Sequence, residues 1–87
     1  MWYVYCLENV EKHYLYIGST NNIKRRLYEH NYGLCRATRP YLPLTLSTYI
    51  AVTTEQKART LEKYFKTGSG KVILKKRILQ SEAPARA

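Results

Sequence analysis

Two short stretches near the start of this chain alternate like β-strands with only a few polar residues between them, which restricts that part of the fold to a hairpin. Trp2-Tyr3-Val4-Tyr5-Cys6-Leu7 is an aromatic and β-branched run, the composition that suits a pleated, half-buried surface. Glu8 to Lys12 is polar and reads as the turn, and His13 to Gly18 reads as the returning strand. With Tyr5 set opposite Tyr16, Tyr3 falls opposite Gly18 and Leu7 opposite Tyr14. That register puts Tyr3, Tyr5, Leu7, Tyr14 and Tyr16 on one face, and Trp2, Val4, Cys6, Leu15 and Ile17 on the other. Gly18 is expected to end the strand.

A helix should follow at once. Thr20, Asn21 and Asn22 are all suitable N-caps for a helix running to about Asn31. Ile23, Leu27, Arg26 and His30 form its inward stripe, with Lys24, Arg25, Tyr28 and Glu29 on the solvated sides. Gly33 to Pro43 is a basic connector, and Leu44 to Val52 is a third strand. Thr53 or Thr54 should cap a second helix reaching about Lys66, with Ala58, Leu61, Phe65 and Glu62 on its inward stripe. Thr67-Gly68-Ser69-Gly70 is expected to break that helix, and Lys71 to Leu79 to form a last short basic one. These elements predict an α+β fold, a small three-stranded antiparallel sheet flanked by about three helices. One domain over residues 1–80 and a frayed tail over 81–87 are expected.

Charge narrows the class of partner. Fifteen Lys and Arg stand against six glutamates, with no aspartate, for a net charge of +9. So large a charge on so small a domain favours a polyanion, most simply nucleic acid. A solvated surface or a ribosome-bound structural role would carry the same charge. Cys6 reads as a small buried hydrophobe. Cys6, Cys35, His13 and His30 match no paired zinc-ligand spacing, and His13 reads as a surface residue. No apolar run approaches the ~20 residues of a membrane span, and no secretory signal is visible, so a cytoplasmic protein is expected.

Arg26 and Glu62 therefore place charges on the inward stripes of separate helices, and two tyrosines meet them from the sheet. One reading is a buried Arg26–Glu62 ion pair with two core tyrosines, an arrangement that adds little stability once desolvation is counted. The other is a reaction centre.

The ordered set of these residues resembles the GIY-YIG nuclease superfamily, in its small stand-alone form. Tyr3-Val4-Tyr5 stands where the family has Gly-Ile-Tyr and keeps the tyrosine; Tyr16-Ile17-Gly18 supplies the second triplet. Arg26 follows ten residues after Tyr16, and His30 four residues beyond it. Asn22 to His30 resembles the family's first-helix pattern, and Leu61-Glu62-Lys63-Tyr64-Phe65-Lys66 resembles the helix that bears its metal-binding glutamate. The resemblance covers about residues 2 to 79. There are departures. Ser19 stands where nucleotide-excision-repair members carry a lysine, and the asparagine often found beyond the glutamate is replaced by Lys66-Thr67-Gly68-Ser69-Gly70.

The resemblance implies a metal-dependent endonuclease that hydrolyses DNA phosphodiester bonds, structure-selective or weakly specific, in repair or recombination. It implies a catalytic set of Tyr5, Tyr16, Arg26, His30 and Glu62, on the sheet face nearest Glu62. Glu62 would hold one divalent cation, Mg²⁺ or Mn²⁺, since magnesium is content with one carboxylate and a phosphate oxygen. Arg26 would donate two hydrogen bonds to phosphate oxygens. Tyr16 would position and deprotonate the attacking water, Tyr5 would orient a metal-bound water, and His30 would bond a phenol or phosphate or share the proton transfer. The roles of Tyr16 and His30 are interchangeable at this level. Lys24, Arg25, Arg36, Arg39, Lys71, Lys75, Lys76 and Arg77 are expected phosphate contacts, which position a backbone without reading sequence. The competing readings are a nucleic-acid-binding module that kept the fold and lost the reaction, and a basic RNA- or ribosome-associated protein.

Overall fold

The computed structural model describes residues 1–79. The expected domain end at residue 80 and the expected tail over 81–87 lie outside these described residues. The hairpin forms from β1 (Trp2–Asn9) and β2 (Tyr14–Thr20). After helix α1 (Ile23–Asn31) a connector with one 3₁₀ turn (Arg39–Tyr41) leads to β3 (Thr45–Val52). Helix α2 (Glu55–Phe65) and helix α3 (Gly68–Ile73) complete the fold, and α3 continues as a π-helical turn over Leu74–Leu79. The sheet is antiparallel in the order β2-β1-β3, so the chain is an α+β domain with three strands and three helices, as expected.

The strand register differs from the expected one. Tyr5 pairs with Gly18 and Leu7 with Tyr16, a slide of two residues from the Tyr5–Tyr16 pairing. Both strands run longer than expected, to Asn9 and Thr20, and the turn shrinks to Val10–His13. His13 closes it with a left-handed φ of 53°, and its side chain is exposed. A slide of two keeps every side chain on its face, because strand side chains alternate with period 2. The faces are therefore as expected.

Each face has its own core. Val4, Cys6 and Ile17 pack with Ala58 and Phe65 of α2 and with Leu74. Burial pushes the Cys6 thiol up to about 12, with Glu8 adding to the effect, so it is an inert core residue. On the other face Tyr5 and Leu7 pack with Leu44, flanked by Tyr14, Tyr16 and Leu27 of α1. The sheet thus separates α1 from α2.

Caps fix both main helices. Asn22 accepts from Arg25 N–H at 3.0 Å at the start of α1, and Thr54 accepts from Lys57 N–H at 3.2 Å at the start of α2. Thr67 does the same for Gly70 N–H at 3.0 Å. The expected break of the helix is thus confined to Lys66-Thr67, and Gly68-Ser69-Gly70 is already the first turn of α3. A Cβ on Gly70 would run into the Tyr64 backbone carbonyl, so glycine is what lets α3 fold back against the end of α2.

Candidate active site

Tyr5 and Tyr16 come from adjacent strands of the hairpin and lie on its α1 face, with ring centroids 6.2 Å apart. Gly18 makes this possible. A Cβ there would sit 2.7 Å from the Tyr5 hydroxyl and 3.0 Å from the Tyr16 ring, so the two phenols occupy the space a side chain would fill. The glycine expected only to end a strand instead makes room for both rings.

The site is not confined to the tyrosine face. Glu62 projects from α2, which packs on the opposite face, and reaches the sheet around the free edge of β2. The expectation that the tyrosines lie on the face nearest Glu62 is thereby corrected. A polar cavity of about 400 Å³ wraps this edge. Tyr5, Tyr16, Gly18 and Thr20 reach it from one face, Trp2 and Ser19 from the other, with Arg26 and Glu29 of α1 and Arg59 and Glu62 of α2. The open edge of an edge strand, where no neighbour covers the backbone, is what allows a ligand to touch both faces at once.

The two inward charges do not pair with one another. Arg26 makes its ion pair with Glu29 at 2.7 Å, and Glu62 makes its own with Lys66 at 2.8 Å. Each partner lies one helical turn away, where side chains of a helix meet. The reading of a buried Arg26–Glu62 pair is therefore overturned. Burial raises the affinity of the Glu62 carboxyl for its proton, but the hydrogen bonds from Lys66 and Ser19 outweigh it and leave the group below the usual carboxylate range. Ser19 donates to Glu62 Oε1 at 2.6 Å. The hydrogen bond to Glu29 raises the Arg26 guanidinium further and lowers the Glu29 carboxyl, so both stay charged.

His30 is fully buried and does not line the cavity. Its Nε2 lies 3.0 Å from the Tyr5 hydroxyl and its Nδ1 lies 2.8 Å from Thr38 Oγ1. The Thr38 hydroxyl also lies 3.4 Å from the Cys35 carbonyl. The imidazole thus bridges two hydroxyls, Tyr5 at Nε2 and Thr38 at Nδ1. Burial, helped by Arg26, lowers the affinity of the imidazole for a second proton. Burial and the neighbouring Tyr16 raise Tyr5 well above the ordinary phenol range, with Arg26 acting against them. A neutral Tyr5 thus meets a neutral histidine.

Four of the five expected catalytic residues thus line one cavity, and the fifth stands behind Tyr5. Of the expected phosphate contacts, Arg25 lines this cavity and Lys24 a neighbouring one. Arg36, Arg39, Lys71, Lys75, Lys76 and Arg77 are exposed but line neither. Glu29, Arg59 and Lys66 were not expected at the site. The one-turn spacing of Glu29 from Arg26, and of Lys66 from Glu62, is the sequence signal for two of them.

Among the described residues, no three His, Cys, Asp or Glu side chains gather into a metal cage. Of the two carboxylates on the cavity wall, Glu29 is held by Arg26 and Glu62 stands beside open polar volume. That arrangement fits a hard divalent cation, which keeps several waters and takes a phosphate oxygen from its substrate.

Comparison with known proteins decides the family. The sequence model of the GIY-YIG catalytic domain matches residues 1–77. The chain belongs to the GIY-YIG family. It is also similar to the UPF0213 proteins of Streptococcus pyogenes serotypes M3, M1 and M4. Each is 40% identical over 65 residues, which span 74% of this chain and 70% of the relative. No solved structure matches the chain. GIY-YIG domains form a nuclease family, which implies a nucleic-acid substrate for the domain.

Proposed function

We propose that this GIY-YIG protein is a metal-dependent endonuclease that hydrolyses phosphodiester bonds in DNA, selecting its target by structure more than by sequence and serving repair or recombination. The observation that carries this reading is the convergence of Tyr5, Tyr16, Arg26 and Glu62, from four different elements, on one polar cavity.

Glu62 would hold one Mg²⁺ or Mn²⁺, which supplies Lewis acidity and neutralises charge on the leaving oxygen. Arg26 presents its guanidinium to non-bridging phosphate oxygens, with Glu29 fixing its direction. Tyr16 stands at the cavity wall to position the attacking water and take its proton, a role that requires its phenolate. Tyr5, its hydroxyl held by His30, orients water at the cavity wall. His30 is fully buried and acts through Tyr5. As the water oxygen bonds to phosphorus, the bond to the leaving oxygen breaks and that oxygen takes up a proton from solvent. Ser19 holds the Glu62 carboxylate where lysine stands in repair members of the family.

The test is cleavage of labelled linear, nicked, flapped and branched DNA, and of the matching RNA, with Mg²⁺ or Mn²⁺ and with chelator. Metal-dependent cleavage of DNA that disappears in Glu62→Ala supports the reading. Tight binding of every DNA with no cutting under either metal would replace it with a binding module on a nuclease fold.

A further inference from the structure

A second cavity of about 310 Å³ opens beside the first and shares Asn21 with it. Its wall is Tyr3, Asn21, Asn22, Ile23, Lys24 and Tyr49. Tyr49 lies on the outer strand β3, directly opposite Tyr5 on β1, so it is one strand spacing, about 5 Å, from the catalytic tyrosine. Its residue is 54% exposed. Burial alone does not account for an aromatic ring in this position. Tyr3 holds it edge-on, with centroids 5.8 Å apart and planes at 76°. A T-shaped pair cannot cover both faces of both rings, so a π-face is left for a planar ligand. Asn22 spends its side-chain oxygen on the cap of α1, and Asn21 directs its own oxygen to Arg25 at 3.4 Å. The amide N–H groups of both are the polar atoms left to a ligand, and they donate. Lys24 adds an exposed cation.

We infer that this cavity is a nucleobase subsite: it takes the base of an unpaired DNA nucleotide next to the scissile phosphate, stacked on Tyr49. A paired base has its faces covered by its neighbours in the duplex, whereas an unpaired base can offer one to a tyrosine. Asn21 and Asn22 donate to base carbonyl oxygens, and Lys24 meets the adjoining phosphate. Because Asn21 belongs to both walls, a strand whose phosphate lies over Arg26 delivers its next base to Tyr49. The inference rests on the nuclease reading for the position of that phosphate. It adds what the reaction cavity alone lacks, a reason to prefer DNA that is single-stranded at the cut.

The test is a binding measurement without divalent cation, so no cleavage is needed. Fluorescence anisotropy of a labelled single strand and of the matching full duplex is compared for wild type, Tyr49→Ala and Tyr49→Phe. Loss of one base–aromatic stack predicts about 5- to 150-fold weaker single-strand binding in Tyr49→Ala. Duplex affinity should be unchanged, and Tyr49→Phe should restore the single-strand value. A 2-aminopurine placed at the flanking position should be quenched by wild type and not by Tyr49→Ala. Equal weakening of single strand and duplex, or no weakening of either, overturns the subsite. So does tighter, Tyr49-dependent binding of the matching RNA strand, which would move the ligand to another class. A Tyr49-dependent preference in a protein that cuts nothing would sink the nuclease reading and leave the subsite standing. Cleavage indifferent to Tyr49 with no binding effect would do the reverse.

Discussion

The Tyr5 hydroxyl is hydrogen-bonded at 3.0 Å to Nε2 of a histidine, His30, that has no access to solvent. This bond ties the cavity to the core beneath α1, and the proposed division of roles between Tyr16 and His30 rests on it. Tyr16 faces the cavity, while His30 fixes the orientation of Tyr5 from behind. His30→Ala strands the hydroxyls of Tyr5 and Thr38 and opens a hole in the core. One stranded buried polar group costs about 1–3 kcal/mol. Thermal melts should show a clearly lower midpoint, and the residual activity at permissive temperature should resemble that of Tyr5→Phe. A His30→Ala protein that melts like wild type would remove His30 from this network.

Stability should fall on mild acidification. The folded His30 has a lower affinity for a second proton than the unfolded chain does, so protons favour unfolding once pH drops through the unfolded histidine value of about 6.5. Its contribution is complete above that value and is lost as pH falls towards the folded one. The lowered carboxyls of Glu62 and Glu29 act in the same direction in a lower window, beginning as pH falls through the ordinary carboxylate range. Chemical denaturation between pH 5 and pH 8 should show the first step, and His30→Ala should flatten it. Undiminished stability down to pH 5 would contradict a neutral buried imidazole.

Much of this site is legible in sequence, and the parts that are not share a cause. Period-2 alternation assigns every hairpin side chain to its face, and a slide of two residues leaves that assignment intact. The register itself depends on the length of the turn, and Val10 to His13 carries no Asn-Gly or similar signal to fix it. Gly18 and Gly70 both read as stops, because glycine at the end of a pattern usually is one. In the fold each is an approach distance, set by neighbours distant in the chain or across a turn. Arg26 and Glu62 invite pairing because both are inward charges of opposite sign. Helix geometry satisfies each locally first, through Glu29 and Lys66, and so frees both to face one cavity across the β2 edge.

Gly18→Ala should separate activity from folding. The added methyl meets the Tyr5 hydroxyl and both rings at 3.0 Å or less, and overpacking of this kind costs about 1–3 kcal/mol. Tyr5 must shift, which pulls it from His30 and from the cavity. Cleavage should drop more than tenfold in a protein that still melts cooperatively. Gly70→Ala is the contrast, since the obstacle is the Tyr64 backbone, which cannot rotate away. Its loss should be in stability, with specific activity preserved in the folded fraction.

Binding measured with chelator present should be strongly salt dependent. Each phosphate neutralised on duplex DNA contributes about −0.9 to the slope of log affinity against log salt. Lys75 and Lys76 are exposed and lie outside the reaction cavity. Reversing both charges should weaken binding across all sequences and flatten the slope, with the melting midpoint unchanged. A slope unaffected by that double substitution would exclude the π-helical turn from the nucleic-acid interface.

Glu62→Ala should abolish cleavage and leave DNA binding intact or stronger, because it removes the carboxylate proposed to hold the metal and one negative charge from the cavity. Its effect on stability is where the observed pairing matters. Had Glu62 been the partner of a buried Arg26, its loss would strand a buried charge and cost about 3–5 kcal/mol. Instead its ion-pair partner is Lys66, whose side chain is 52% exposed. Exposed pairs contribute about 0–1 kcal/mol, and the Ser19 hydroxyl can turn to water in the cavity. Since about 1 kcal/mol moves the midpoint of a domain this size by roughly 4–8 °C, the mutant should melt within about that range of wild type. Arg26→Ala should behave alike in the melt, because Glu29 sits at the helix surface, but should lose phosphate affinity as well as cleavage. Melting, anisotropy and cleavage on the same preparations separate these outcomes. A Glu62→Ala protein that melts far lower would contradict the pairing with Lys66, and one that cuts at the wild-type rate would remove Glu62 from the mechanism.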